Sequence, residues 1–278
     1  VKKENIIKEI IRNKTFIIGF VIFTSIVIVA VFAGKIAPFY YDEMNISDAL
    51  TAPGDKYMFG TDQYGRDIFS RIIYGTRITL KVGIIVVSIE CFIGVILGLI
   101  AGYFGGNTDK IVSFITDMTW SMPPIIMALA IVTMLGPSLN NVIIAIAVVS
   151  WAQFTRIVRV KTQSIKNLHF IEAARAYGEN NFNIMLRYIL PNVASSIIVL
   201  ATLALPTAIL STTSLGFLGM GAQPPQPDWG LILKEGIGYI GKAPWISIFP
   251  GLAIVYTVLG FNLLGEGLRD LLDPRLKR

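Results

Sequence analysis

Long apolar runs alternate with short polar connections along this chain. Six runs, at 15–37, 82–104, 112–135, 142–160, 193–218 and 245–264, come close to or exceed the about 20 residues that cross ~30 Å of hydrocarbon at ~1.5 Å per residue. They predict an all-α polytopic membrane protein with six transmembrane helices. Pro123, Pro206 and Pro250 stand inside the third, fifth and sixth runs. A missing N–H and a ring clash predict kinks or breaks there, with neighbouring helices satisfying the freed carbonyls. Upstream, Ile6, Ile7, Ile10 and Ile11 form one stripe between lysines, so residues 1–14 read as an amphipathic segment on the cytoplasmic membrane surface. The first run follows a basic stretch, as a signal peptide would. It exceeds an ordinary h-region and no A-x-A-like site follows, so it is expected to stay as a helix. Residues 38–81 then form an extracellular segment, and 82–278 a core with the other five spans.

Composition supports this class, with 54% of the 278 residues hydrophobic and 15% charged. The net charge of +6 does not point to nucleic acid, because the basic residues flank apolar runs and do not form an aromatic-laced patch. With both termini inside, Lys2, Lys3, Lys8, Arg12, Lys14, Lys110, Arg156, Arg159, Lys161, Lys166, Arg175, Arg187, Arg269, Arg275, Lys277 and Arg278 are cytoplasmic, sixteen of the twenty-four cations. Arg66, Arg71, Arg77 and Lys81 cluster outside against that rule. The single Cys91 excludes an internal disulfide framework, no Cys/His cluster has metal-ligand spacing, and the lone His169 reads as a surface residue.

Inside the second run Gly94, Gly98 and Gly102 recur every four residues. They share one helix face, where a second backbone can approach closely, and so predict a packing seam. Glu90 lies near the middle of that run, where an ionisable group is costly unless paired or hydrated. Either it lines a water-filled path and meets a cationic cargo group, or it bonds a polar partner such as Ser88 or a neighbouring chain. The structural role is favoured. Asp117, with Thr116, Thr119 and Ser121 before Met122-Pro123-Pro124, is a candidate pore face.

Residues 172–192, EAARAYGENNFNIMLRYILPN, are polar by contrast with their flanks. Phe170 to Tyr177 is alanine-rich and helix-favouring, and Gly178 can take the positive φ that ends a helix. Asn181 can cap a second short helix, 182–190, that stops at Pro191. Ala173, Ala174 and Ala176 leave a surface for a partner protein, with Glu172 and Arg175 at its edge, while Ile184, Met185, Ile189 and Leu190 can pack against the spans.

Glu172-Ala173-Ala174, Gly178 and the Ile189-Leu190-Pro191 close resemble the EAA loop of ATP-binding cassette importer permeases, departing slightly from the family's I-x-L-P ending. GTDQYGRDIFSRIIYGTR at 60–77, GYFGG at 102–106, LGFLGMGAQPPQPDWG at 215–230 and FNLLGEGLRDLLDPRLKR at the C-terminus are similar to the dipeptide, oligopeptide and nickel permeases, in particular their second-type subunit. The resemblance implies a cytoplasmic EAA coupling helix within about 161–192, formed by Glu172, Ala173, Ala174, Arg175 and Gly178. It also implies a non-catalytic subunit of a bacterial or archaeal cell membrane importer. Its partners would be a second permease, two ATPase subunits and a substrate-binding protein. No GxxxxGK[ST] motif occurs, so ATP and Mg belong to the ATPase subunits and this chain binds no cofactor. The cargo would be a di- or oligopeptide, with nickel or another metal chelate as the alternative.

Among the remaining residues, Pro224, Pro225 and Pro227 prevent regular helix outside, and Trp229 suits a membrane interface, together suggesting a stiff extracellular rim. Asp62, Arg66 and Asp67 are expected to cap and pair locally within the outer segment. Two rivals are an ion-coupled secondary transporter, favoured by Glu90 with Asp117, and an intramembrane enzyme, for which no Ser/His pair, paired aspartates or HExxH is present.

Overall fold

The computed structural model describes residues 12–272. The stripe Ile6, Ile7, Ile10 and Ile11 and the tail cations Arg275, Lys277 and Arg278 lie outside the described residues. In chain order the helices are α1 (Lys14–Val31), α2 (Ala33–Ile36), α3 (Ile68–Phe104), α4 (Gly106–Trp120), α5 (Pro124–Leu135), α6 (Leu139–Ile165), α7 (His169–Ala176), α8 (Asn181–Phe217), α9 (Trp229–Ile237) and α10 (Trp245–Leu272). Five of them are long and apolar enough to cross a membrane, and the bent pair α4 and α5 meets the same test when taken together, for five to six candidate spans. The chain is thus an all-helical, multi-pass membrane protein.

Several boundaries differ from the apolar runs. The second span is the inner part of α3, which begins at Ile68 within the outer segment, where Asp67 caps it by accepting from the Ser70 amide at 2.7 Å. The third run is two helices meeting at 84°. Pro123 and Pro124 explain the break: neither has an N–H, and Pro124 drives Pro123 out of the helical region to ψ 126°. Pro206 and Pro250, flanked by residues free to stay helical, lie within uninterrupted helices. The predicted stop at Pro191 does not occur. A π-helical stretch at Ile184–Ile189 widens the backbone just ahead of the proline. The wider turn makes room for the pyrrolidine ring, so the loop helix and the fifth span are one continuous body from Asn181 to Phe217.

The glycine seam of α3 packs on α6. A Cβ at Gly94 would collide with the Phe154 Cβ; one at Gly98 would lie 2.7 Å from the Val158 Cβ, and one at Gly102 2.6 Å from the Thr162 Cβ. Residues of α6 spaced by four therefore fill the notches that glycines spaced by four leave in α3. A second close pair joins the chain's ends: Gly19 of α1 abuts the Leu264 backbone of α10, and Gly267 meets Phe16.

At the end of the bundle opposite the 169–190 loop, Ile68, Ile72, Trp229, Ile232, Ala243 and Ile246 form a buried cluster that ties the start of α3 to α9 and the start of α10. An ionic network lies beside it. Arg66 donates to Asp62 at 2.6 Å and to Glu235 of α9 at 3.0 Å, and Arg71 reaches Asp62 at 2.7 Å and Glu235 at 2.8 Å. Both arginines and Asp62 are buried. Two cations and two carboxylates make a neutral group, which compensates two of the four cations clustered at 66–81. Arg77 meets the backbone oxygens of Ala30 and Val31 at the end of α1, where the helix dipole favours a cation.

Two stability predictions follow from this packing. Gly98→Leu should lower the thermal midpoint and yield of the purified complex, since overpacking a close interface costs about 1–3 kcal/mol, whereas Ile96→Leu on the exposed face of α3 should match wild type. Glu235→Leu should strand two buried guanidinium groups against one carboxylate, a loss of about 3–5 kcal/mol for a broken buried pair. Limited proteolysis of the 38–67 segment should become faster, and Asp62→Leu should show the same direction.

Candidate coupling loop and transmembrane cleft

The loop after α6 is built by a helix, a left-handed turn and a helix. Gly178 takes φ +83°, its amide donates to the Arg175 carbonyl, and the Glu179 amide donates to the Ala174 carbonyl. These paired bonds form the glycine-terminated stop that the spacing predicts. The next helix is capped one residue earlier than expected, by Asn180, whose side chain accepts from the Asn183 amide at 2.7 Å.

One face of this element is held by the membrane core. Ile171, Ala174, Ile184 and Ile189 are buried with Leu99 and Tyr103 of α3, Val158 of α6 and Val193 of α8. Ala174 is thus an inward-facing residue, not part of the free surface, because its position puts it on the same side of α7 as Ile171. Glu172, Ala173, Arg175, Ala176 and Gly178 are exposed. Tyr177 and Phe182 beside them are 91% and 64% exposed. A Cβ at Gly178 would meet nothing within 4 Å, so the space over the turn is open. His169 is exposed, its Nδ1 3.5 Å from Glu172.

Sequence reasoning missed the residue that fastens the loop. Tyr103, at the inner end of α3, donates its hydroxyl to Asn181 at 2.7 Å, and its ring lies 5.3 Å from the Arg175 guanidinium. Arg175 is therefore held against α3 as well as being exposed. Nearby, Arg159 of α6 forms a two-pronged ion pair with Asp109 of α4, the Nη2 bond being 2.8 Å. A carboxylate just after GYFGG facing a basic residue at the end of α6 was the available signal.

The candidate pore residues separate. Asp117 is exposed and lines a cleft of about 130 Å³ with Ser113, Thr116, Thr155, Arg156 and Arg159, where Arg156 lies 5.7 Å from the Trp120 ring. Ser121 is exposed at the break between α4 and α5, its hydroxyl donating to the Met118 carbonyl. Glu90 is buried at 3% exposure and lines neither this cleft nor the larger cavity described below. Ser150 of α6 is its polar neighbour, whereas Ser88 is occupied with the Ile84 carbonyl. The favoured structural role for Glu90 thus has a partner on the facing helix, and the Ser88 pairing is corrected.

At the outer end, Pro224 and Pro225 are exposed, but Trp229 is not an interfacial rim residue. It is buried at 2%, and its Nε1 donates to the Ile72 carbonyl at 3.0 Å. Asp228 caps α9 through the Leu231 amide at 3.1 Å. Burial pushes its carboxyl up to about 6 against the pull of the Leu231 and Gly230 amides.

The helical bundle and its loop helix, rooted on one face and open on the other, agree with the transport permease class that the sequence matches. The sequence matches the family of binding-protein-dependent transport system inner membrane components over residues 94–278, and the chain belongs to that family. Residues 5–53 match the N-terminal transmembrane domain of oligopeptide transport permease C. Among similar proteins, a dipeptide transport system permease of Alkalihalophilus pseudofirmus is 47% identical over 270 residues, 97% of this chain and 89% of that protein. A glutathione transport system permease of Pectobacterium atrosepticum is 46% identical over 239 residues, 86% and 78% respectively. One from Escherichia coli is 46% identical over 256 residues, 91% and 84%.

Proposed function

We propose that this chain forms half of the translocation pathway of an ATP-driven importer of short peptides. A binding protein delivers the cargo to the outer mouth, and a second, non-identical permease supplies the other half. ATP and Mg are held by two separate ATPase subunits. Both termini face the cytoplasm of a bacterial or archaeal cell. That orientation puts the loop bearing Glu172, Ala173, Arg175 and Gly178 on the side where ATP is available.

The carrying observation is the division of faces in the loop. Ile171 and Ala174 are rooted in the core, and Glu172, Ala173, Ala176, Tyr177 and Gly178 stand free. A protein pressed on the free face of α7 pushes, through the buried Ile171 and Ala174, on the start of α8, which runs unbroken to Phe217 and is hydrogen-bonded to α3 through Tyr103. Closure of an ATPase dimer there biases the permease between inward-open and outward-open states, because docking differs between the two. Asp117 and Ser121, exposed on the broken span, line the path on the side facing the second permease. Peptide cargo, in preference to a metal chelate, is supported by the dipeptide and glutathione carriers among the relatives.

The assembled complex in lipid tests this reading through binding-protein-stimulated ATP hydrolysis and peptide uptake. Glu172→Lys and Ala173→Trp should lower both together by about 10-fold or more, equivalent to ~1.4 kcal/mol of lost coupling, while the permease pair still purifies intact. Stimulation and uptake at wild-type levels in both variants would refute a coupling role.

A further inference from the structure

A second cavity is distinct from the polar cleft beside Asp117. It has a volume of about 710 Å³ and opens between the loop-proximal ends of α6, α8 and α10. Lys161 and Arg269 stand at its polar end with Ser195 and Ser196, and Val199 and Leu203 belong to its apolar wall. Among the described residues the lining includes no carboxylate, and neither Lys161 nor Arg269 forms an ion pair. The two serines are also unusual for this protein. Ser88, Thr202 and Ser214 each donate to a carbonyl of their own helix, whereas Ser195 and Ser196 donate to none among the described residues.

Two cations and two free hydroxyls beside an aliphatic wall match one ligand chemistry, a phosphate monoanion or diester carried on an acyl chain. Cationic pockets between membrane helices at the cytoplasmic leaflet select anionic lipid headgroups in this way. We propose that this cavity is a binding site for an anionic phospholipid of the inner leaflet. Its phosphate lies between Lys161 and Arg269 within reach of Ser195 and Ser196, and an acyl chain lies along Val199 and Leu203. The leaflet assignment rests on the cytoplasmic placement of the loop proposed above. Because α6 and α8 flank that loop, the lipid joins both of its supports to α10.

The test is native mass spectrometry of the complete transporter extracted from phosphatidylcholine discs containing phosphatidylglycerol. Wild type should retain phosphatidylglycerol, and Lys161→Gln with Arg269→Gln should weaken retention by roughly 25-fold, at roughly five-fold per cation near an anionic lipid. Val199→Trp, which fills the apolar wall and leaves the charges in place, should also reduce it. Equal retention by wild type and both variants overturns the proposal. Displacement by inorganic phosphate would make the cavity a simple anion site, and displacement by a dipeptide would make it part of the cargo path; either overturns the lipid assignment. Glu172→Lys examined alongside separates the two ideas. If its ATPase stimulation is intact while lipid retention still depends on Lys161 and Arg269, the lipid site stands and the coupling reading fails.

Discussion

The architecture depends on how closely α3 and α6 approach. In hydrocarbon, apolar side chains gain little by leaving lipid for protein, so helix association relies on contact quality. Gly94, Gly98 and Gly102 supply it by letting Phe154, Val158 and Thr162 of α6 sit against the α3 backbone. With that distance fixed, the inner ends of the same helices present Leu99, Tyr103 and Val158 as the floor on which Ile171, Ala174, Ile184 and Ile189 rest. The loop's exposed face is then determined by elimination: the residues that do not reach the floor are the ones left outside.

The lobe formed with α9 meets a different constraint, since two buried guanidinium groups must be compensated beside a modest apolar cluster. Arg66 and Arg71 violate the usual charge bias of membrane loops only while they are counted singly. Paired with Asp62 and Glu235 they are a neutral, buried unit. The lobe and α9 thereby become one cap over the outer end of α3, with Trp229 and Trp245 each donating an indole N–H to the backbone beneath.

Local rules made much of this legible. The spacing of three glycines, the positive φ of Gly178 and the capping role of Asp67 each depend on residues a few positions apart, and the structure places them accordingly. What was hidden depended on distant partners. Trp229 reads as an interfacial anchor until Ile72, far away in sequence, offers its carbonyl, and Glu90 reads as lining a path or bonding some polar partner, Ser88 or a neighbouring chain among them, until α6 brings Ser150 alongside. Pro191 misled for another reason: the π-helical stretch at Ile184–Ile189 widens the turn into which its ring must fit, and the helix runs on. Among the candidate site residues, Glu172, Ala173, Arg175 and Gly178 could be placed on a surface from composition and turn chemistry. The inward turn of Ala174 required the partner floor, and Tyr103 carried no signal of its own.

The ionic network also imposes a chronology. Asp62 and Arg66 emerge from the ribosome almost together and can pair at once, being close neighbours in the same turn. Glu235 is synthesised 164 residues after Arg71, when four more spans have already been threaded. Until then the two guanidinium groups share a single carboxylate, that of Asp62. Completion of the cap is therefore a late event that reports on insertion of nearly the whole polypeptide, and a chain truncated before α9 is marked by the charge it cannot neutralise.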